Sequence, residues 1–163
     1  MQQLSKSKIL SGWQCTKKLW LDVHDPDLAE TDPALERIFE LGHEVGELAR
    51  RLFPGGVLIG HDHQLDEALA ETADRLESAG PVTLFEATFR HEGVLFRADV
   101  FERSADGSIR LIEVKAGTKV KPVNYIDCAV QNWVLSGLGL APDRIELAHI
   151  NNQFVYAGDG EYD

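Results

Sequence analysis

The chain has 163 residues, 44% of them hydrophobic and 26% charged, with a formal net charge of −11 and two cysteines. That balance suits one folded α/β-sized domain (1–163) and excludes a disordered polyelectrolyte. With no apolar run near the roughly 18–20 residues that cross a bilayer, no signal-like N-terminus and too few cysteines for a secreted scaffold, the expectation is a cytoplasmic protein with no membrane partner.

Apolar residues Ile9, Leu10, Trp13, Leu19, Trp20 and Leu21 predict a first helix over 5–21, with Ser5 or Ser7 as its N-cap. Trp13, Trp20 and Trp133 are expected in the core. The acidic stretch from Asp22 to Asp32 contains Pro26 and predicts a loop. A second helix is expected over 33–52, opened by Pro33 and carrying an apolar stripe of Leu35, Ile38, Phe39, Val45, Leu48, Ala49 and Leu52. Gly42 and Gly46, one turn apart on it, predict a close-packing site. Residues 57–60 suggest a short strand and 65–78 a third helix, stopped by Gly80-Pro81. His61-Asp62-His63 between them reads as exposed polar residues. Strands are predicted over 82–90, 94–103 and 108–114, a helix over 124–138 capped by Gly137 or Gly139, and strands over 144–150 and 153–156. The order implies an α/β domain whose central mixed sheet is flanked by helices. The turn-like ending after Ala157 suggests a domain cut from a longer protein.

Turn residues fix the strand registers. If Glu92-Gly93 is a two-residue hairpin turn, His91 faces Val94 and Glu86 falls opposite Asp99. If Ala105-Asp106-Gly107 is a three-residue loop with a left-handed glycine, Ser104 faces Ser108 and Asp99 falls opposite Glu113. Three carboxylates then stand abreast, and alternation adds Arg97 and Lys115 to their face. Opposed like charges cost a sheet a few tenths to about 1 kcal/mol. Mg²⁺ or Mn²⁺ would turn that repulsion into coordination. Such a set suits phosphodiester hydrolysis, with Lys115 orienting water or stabilising developing charge. A net charge of −11 repels DNA in bulk, so contact needs a local basic surface. Candidates are Lys6/Lys8 with Lys17/Lys18, Arg50/Arg51, and Lys115/Lys119/Lys121, the last beside the carboxylates.

At Arg97-Ala-Asp99-Val and Leu111-Ile-Glu113-Val-Lys115, followed by a helix, the sequence resembles the RecB-like branch of the PD-(D/E)XK nucleases, which includes CRISPR-associated adaptation exonucleases. The resemblance implies a restriction-endonuclease-like core and a DNA substrate. It also implies Asp99, Glu113 and the Val114 carbonyl as metal ligands, Lys115 as catalytic lysine, and Gln131, with Tyr125 near it, in the family's downstream helical motif. Trp13-Gln-Cys15-Thr-Lys-Lys-Leu-Trp20 resembles the first cysteine segment of members that carry an iron–sulfur cluster, whose other three cysteines lie C-terminal to the core. Cys15 would serve one only in a longer chain, and Cys128 reads as a small buried apolar residue. The resemblance extends to an uncharacterised bacterial family in which this domain opens a longer protein.

Two positions depart from the pattern. The family places a His about four residues after a helical Gly; here Gly42 is followed at that spacing by Gly46, with His43 and Glu47 nearby. If a ligand is lost there, Glu86 or Glu47 would replace it. Leu135 stands where the family has a Tyr after the Gln. The expectation is a divalent-metal-dependent exonuclease on DNA ends or single strands, and its rival a catalytically inactive DNA-binding or assembly module of the same fold.

Overall fold

The computed structural model describes residues 3–29, 33–61, 64–78, 80–155 and 158. In chain order they form β1 (Leu4–Ser5), α1 (Lys6–Gln14), α2 (Thr16–His24), a 3₁₀ turn (Pro26–Leu28), α3 (Pro33–Arg50), β2 (Val57–Leu58), α4 (Leu65–Glu77), β3 (Val82–His91), β4 (Val94–Arg103), β5 (Ile109–Lys115), α5 (Pro122–Gly137) and β6 (Arg144–His149). The predicted first helix is in fact two. Cys15 is extended, with φ −162° and ψ 120°, and breaks the run, while Ser5 Oγ caps α1 by accepting from the Lys8 amide at 3.3 Å. The helical run reaches His24, two residues into the predicted loop. α5 begins at Pro122 because a proline's missing amide costs nothing in a helix's first turn. It ends at Gly139, whose φ of +76° lets the Leu140 amide return to the Leu135 carbonyl at 2.9 Å. The strand predicted over 153–156 does not form: the Gln153 amide turns back to Asn151 Oδ1 at 3.0 Å, and Tyr156 lies outside the described residues.

The described strands make a six-stranded mixed sheet in the order β2-β3-β4-β5-β6, with β1 parallel to β4. Both hairpin registers follow the turns. His91 pairs with Val94 across Glu92 and Gly93, both at positive φ (45° and 81°), and Val100 pairs with Ile112 below a loop whose Gly107 sits at φ +85°. β2 and β6 join in parallel. Helices lie on both faces, and none in the described residues is long and apolar enough to cross a membrane.

Side-chain alternation slips where the site lies. Leu84 and Ala87, three residues apart, both enter the main core, as do Phe101 and Ala98 on the neighbouring strand. Between them Glu86 adopts φ 57°, a left-handed conformation that costs a residue with a Cβ of order 1–3 kcal/mol. The main core packs Leu84, Phe89, Phe96, Phe101 and Leu111 against Ala68 of α4 and Val134 and Leu135 of α5. A smaller cluster of Phe85, Val100 and Ile112 faces the other way, with Phe53 and Val114.

Three expectations about packing are corrected. Trp13, Trp20 and Trp133 are 72%, 54% and 45% exposed, not core. The stripe of α3 is largely in solvent as well: Leu35, Ile38, Phe39, Leu48 and Leu52 are exposed and Ala49 is buried. Gly42 and Gly46 are no packing site, since a Cβ at either would meet nothing within 4 Å. They open the helix face toward a cleft instead.

Phe101 is fully buried and its ring lies 5.3 Å from that of Phe89. Phe101→Ala is expected to lower unfolding free energy by about 3–5 kcal/mol in denaturant melts. A loss below about 1 kcal/mol would contradict this core assignment.

Candidate active site

Glu113 lies on β5 with Leu111, on the side facing α5, and is 2% exposed. A buried carboxylate needs donors, and this one has four. Lys6 Nζ donates to Oε1 and Oε2 at 3.1 Å each, Lys115 Nζ to Oε1 at 2.5 Å, and Gln131 Nε2 to Oε2 at 2.6 Å. A carboxylate offers about four lone-pair sites, so Glu113 is saturated by protein donors. Asp127, one turn before Gln131 on α5, completes the centre. It binds Lys6 at 2.8 Å, Lys115 at 2.8 Å and Gln131 Nε2 at 3.1 Å. Two ammonium groups thus alternate with two carboxylates around the Gln131 amide. Burial disfavours both ammonium ions, yet Glu113 and Asp127 outweigh it and raise the pKa of Lys6 and of Lys115 above the usual lysine value. Burial likewise works against the Asp127 carboxylate, but Lys6 and Lys115 hold its pKa below the ordinary range. Among the described residues, Gln131 Oε1 is a buried atom without a hydrogen-bond partner.

Asp99 sits on the other side of the β5 backbone. The β4–β5 pairing stops at Val100 and Ile112, one step before Asp99 would face Glu113. The Asp99 carboxylate takes the freed amide instead: Val114 N donates to Oδ2 at 2.6 Å. With Glu86 and Arg97, Asp99 lines a cleft of about 900 Å³ roofed by α3 through Gly42, His43, Gly46, Glu47 and Arg50. Burial first and Glu113 second, with Glu86 adding to them, push the Asp99 pKa up to about 7 against the Val114 amide and Lys6. The three carboxylates therefore feel one another's charge.

They do not stand abreast on one face, and this corrects the alternation argument. The slip at Glu86 and Asp99 turns those two into the cleft, while Glu113 and Lys115 keep the alternation of β5 and face α5 and α1. Among the described residues, no group of three or more His, Cys, Asp or Glu side chains forms a metal cage. The other expected residues scatter. Tyr125 is exposed, Leu135 is fully buried in the main core, and His43 and Glu47 lie on the cleft's α3 wall. Cys15 is an exposed free thiol and Cys128 a half-buried one. His61 is partly buried against Glu71 at 2.8 Å rather than exposed; Asp62 and His63 lie outside the described residues.

Two residues of the centre were not anticipated. Asp127 had a signal, since the i, i+4 spacing to Gln131 puts both on one helix face. Lys6 had none: it arrives from 107 residues away, through the pairing of Leu4 with Val94 and Ser5 with Leu95.

Fold and site together define an α/β protein in which a buried carboxylate–lysine–glutamine centre adjoins a carboxylate-lined cleft. No family model matches the chain, and neither a curated protein nor a solved structure matches it.

The raised Asp99 pKa has a pH signature. In the folded chain Asp99 keeps its proton up to about 7, whereas the unfolded chain releases it near the ordinary value of about 4. Between those limits the folded state binds more protons, so this group's contribution falls as pH rises and then levels off. Wild-type stability should decline relative to Asp99→Asn across that window, by roughly a few kcal/mol, in denaturant melts run at successive pH values. Parallel pH profiles would refute the assignment.

Proposed function

We propose that this protein is a divalent-cation-dependent nuclease that hydrolyses DNA phosphodiester bonds as an exonuclease on single strands or ends, on a restriction-endonuclease-like core. The observation that carries the reading is the contact of the Asp99 carboxylate with the Val114 amide, 2.6 Å away, in the middle of the Glu113-Val114-Lys115 run. That contact brings the acidic residue of one strand to the acid-x-lysine element of the next. The same reading has the protein cytoplasmic.

Whether these residues suit a cation is tested by their charge and donor type. Asp99, Glu86 and Glu113 offer hard carboxylate oxygens, and their mutual repulsion helps raise Asp99 to about 7. That chemistry fits Mg²⁺ or Mn²⁺, with Asp99, Glu113, the Val114 carbonyl and Glu86 as the residues that would hold it. Such a cation, when bound, supplies positive charge for the phosphoryl oxygens. Lys115 remains an ammonium at any working pH because its pKa is raised, so it acts as a donor and not as a general base. It can hold the attacking water or the scissile phosphate, while the Gln131 amide fixes the plane of the Glu113 carboxylate. Arg50, Arg97 and His43 in the cleft wall give DNA a local approach on a chain whose net charge is −11.

A second reading, an inactive DNA-binding or assembly module, is favoured by two observations. Glu113 is saturated by protein donors, and Gly46 presents no ligand to the cleft.

A cleavage assay on linear single-stranded, blunt duplex and circular DNA with Mg²⁺ or Mn²⁺ separates the two. Linear single strands are expected to be degraded and circles spared. Asp99→Ala should lose both Mn²⁺ binding and cleavage, and Lys115→Ala should keep Mn²⁺ binding while cutting about 100-fold more slowly or worse. Undiminished cleavage by Lys115→Ala removes the proposed mechanism; DNA binding without cleavage by the wild type selects the inactive module.

A further inference from the structure

We infer that Lys6 is a positioning residue of this centre: its ammonium holds Glu113 where a divalent cation must bind, and cation binding displaces it. The inference rests on the cation-dependent reading above and goes beyond it by assigning a residue from outside the strand motifs.

The argument is one of lone pairs and tethers. All four acceptor sites of Glu113 are taken, two by Lys6 and one each by Lys115 and Gln131. A cation can reach a Glu113 oxygen only if one donor leaves. Gln131 is fully buried in α5, between the sheet and the Asp127 carboxylate it also binds. Lys115 is fixed two residues from Glu113 on β5, a strand paired on both sides. Lys6 has the weakest tether: it follows the two-residue strand β1, which is held to β4 by two paired positions and by the Leu4 amide on the Gly93 carbonyl at 2.9 Å. It is also the donor whose departure frees a site on each Glu113 oxygen.

The exchange is balanced in charge. Lys6 is held protonated, because Glu113 and Asp127 outweigh its burial, so it leaves as an ammonium ion and no proton is transferred. Asp127 keeps Lys115 and the Gln131 amide when Lys6 goes. Without its anchor in the centre, the segment formed by β1 and the start of α1 loosens. The centre then has two states, one closed by a side chain of the protein and one closed by an external cation.

The test is calorimetric titration of Mn²⁺ into the full chain as wild type, Lys6→Met and Lys8→Met. Lys8→Met removes the same charge two residues along without touching Glu113. Lys6→Met is expected to bind Mn²⁺ at least about tenfold more tightly, whereas Lys8→Met should stay within about twofold of wild type, because charges outside the centre are screened. Hydrogen exchange on the wild type gives an independent readout: the Leu4 amide should lose protection when Mn²⁺ saturates the protein. Equal Mn²⁺ affinity in wild type and Lys6→Met overturns the role of Lys6 and leaves the cation-dependent reading standing. Absence of Mn²⁺ binding to both overturns both. Should Lys6→Met fail to fold, unchanged Leu4 protection in Mn²⁺-saturated wild type overturns the inference by itself.

Discussion

The architecture around β5 depends on keeping one carboxylate, that of Glu113, ionised at 2% exposure. An uncompensated charge at that depth would cost several kcal/mol. Compensation comes from three places far apart in sequence: Lys6 at the start of α1, Lys115 on the same strand, and Gln131 on α5. Asp127 then balances the second ammonium. The effect is to pin the N-terminal helix, the central sheet and α5 to a common point. A buried, fully paired ionic ring is seldom a net source of stability against an apolar core of equal volume, so its presence at the middle of this sheet points to use rather than to support.

Beside that ring, backbone strain shapes the cleft. Glu86 occupies a left-handed conformation although glycine would do so without penalty, and alternation slips on both strands around it. The slip takes Glu86, Asp99 and Arg97 out of the pattern that would bury them against α5 and α4, and opens them under α3. Gly42 and Gly46 add to the opening, because neither places a side chain between α3 and the sheet. The result is a pair of compartments, a buried charged ring and a carboxylate-lined cleft, separated by the backbone of Val114 and joined by its amide.

Hydrophobic patterning predicted where helices form better than what they bury. The stripe on α3 and the tryptophans of α1, α2 and α5 give good helical periodicity, yet most of these side chains remain in solvent. Periodicity reports that a helix has an apolar face; it carries no information on whether a neighbour covers that face. The core was instead drawn from the β3–β5 strands, α4 and the second half of α5, where small and large apolar residues interdigitate.

Much of the fold was legible in the chain itself. Turn chemistry at Glu92-Gly93 and Ala105-Asp106-Gly107 dictated both hairpin registers, since two-residue and glycine-ended loops allow few alternatives. Those registers set Asp99 beside the Glu113-Val114-Lys115 run, and the helix after it supplied Gln131. Tertiary structure alone decided which way the carboxylates face and which cation meets them. The direction depends on a left-handed Glu86 and on a ladder that ends one pair early, neither of which residue identity signals. Lys6 comes from across the chain by way of two strand pairings, and contacts between distant segments leave no local pattern to read.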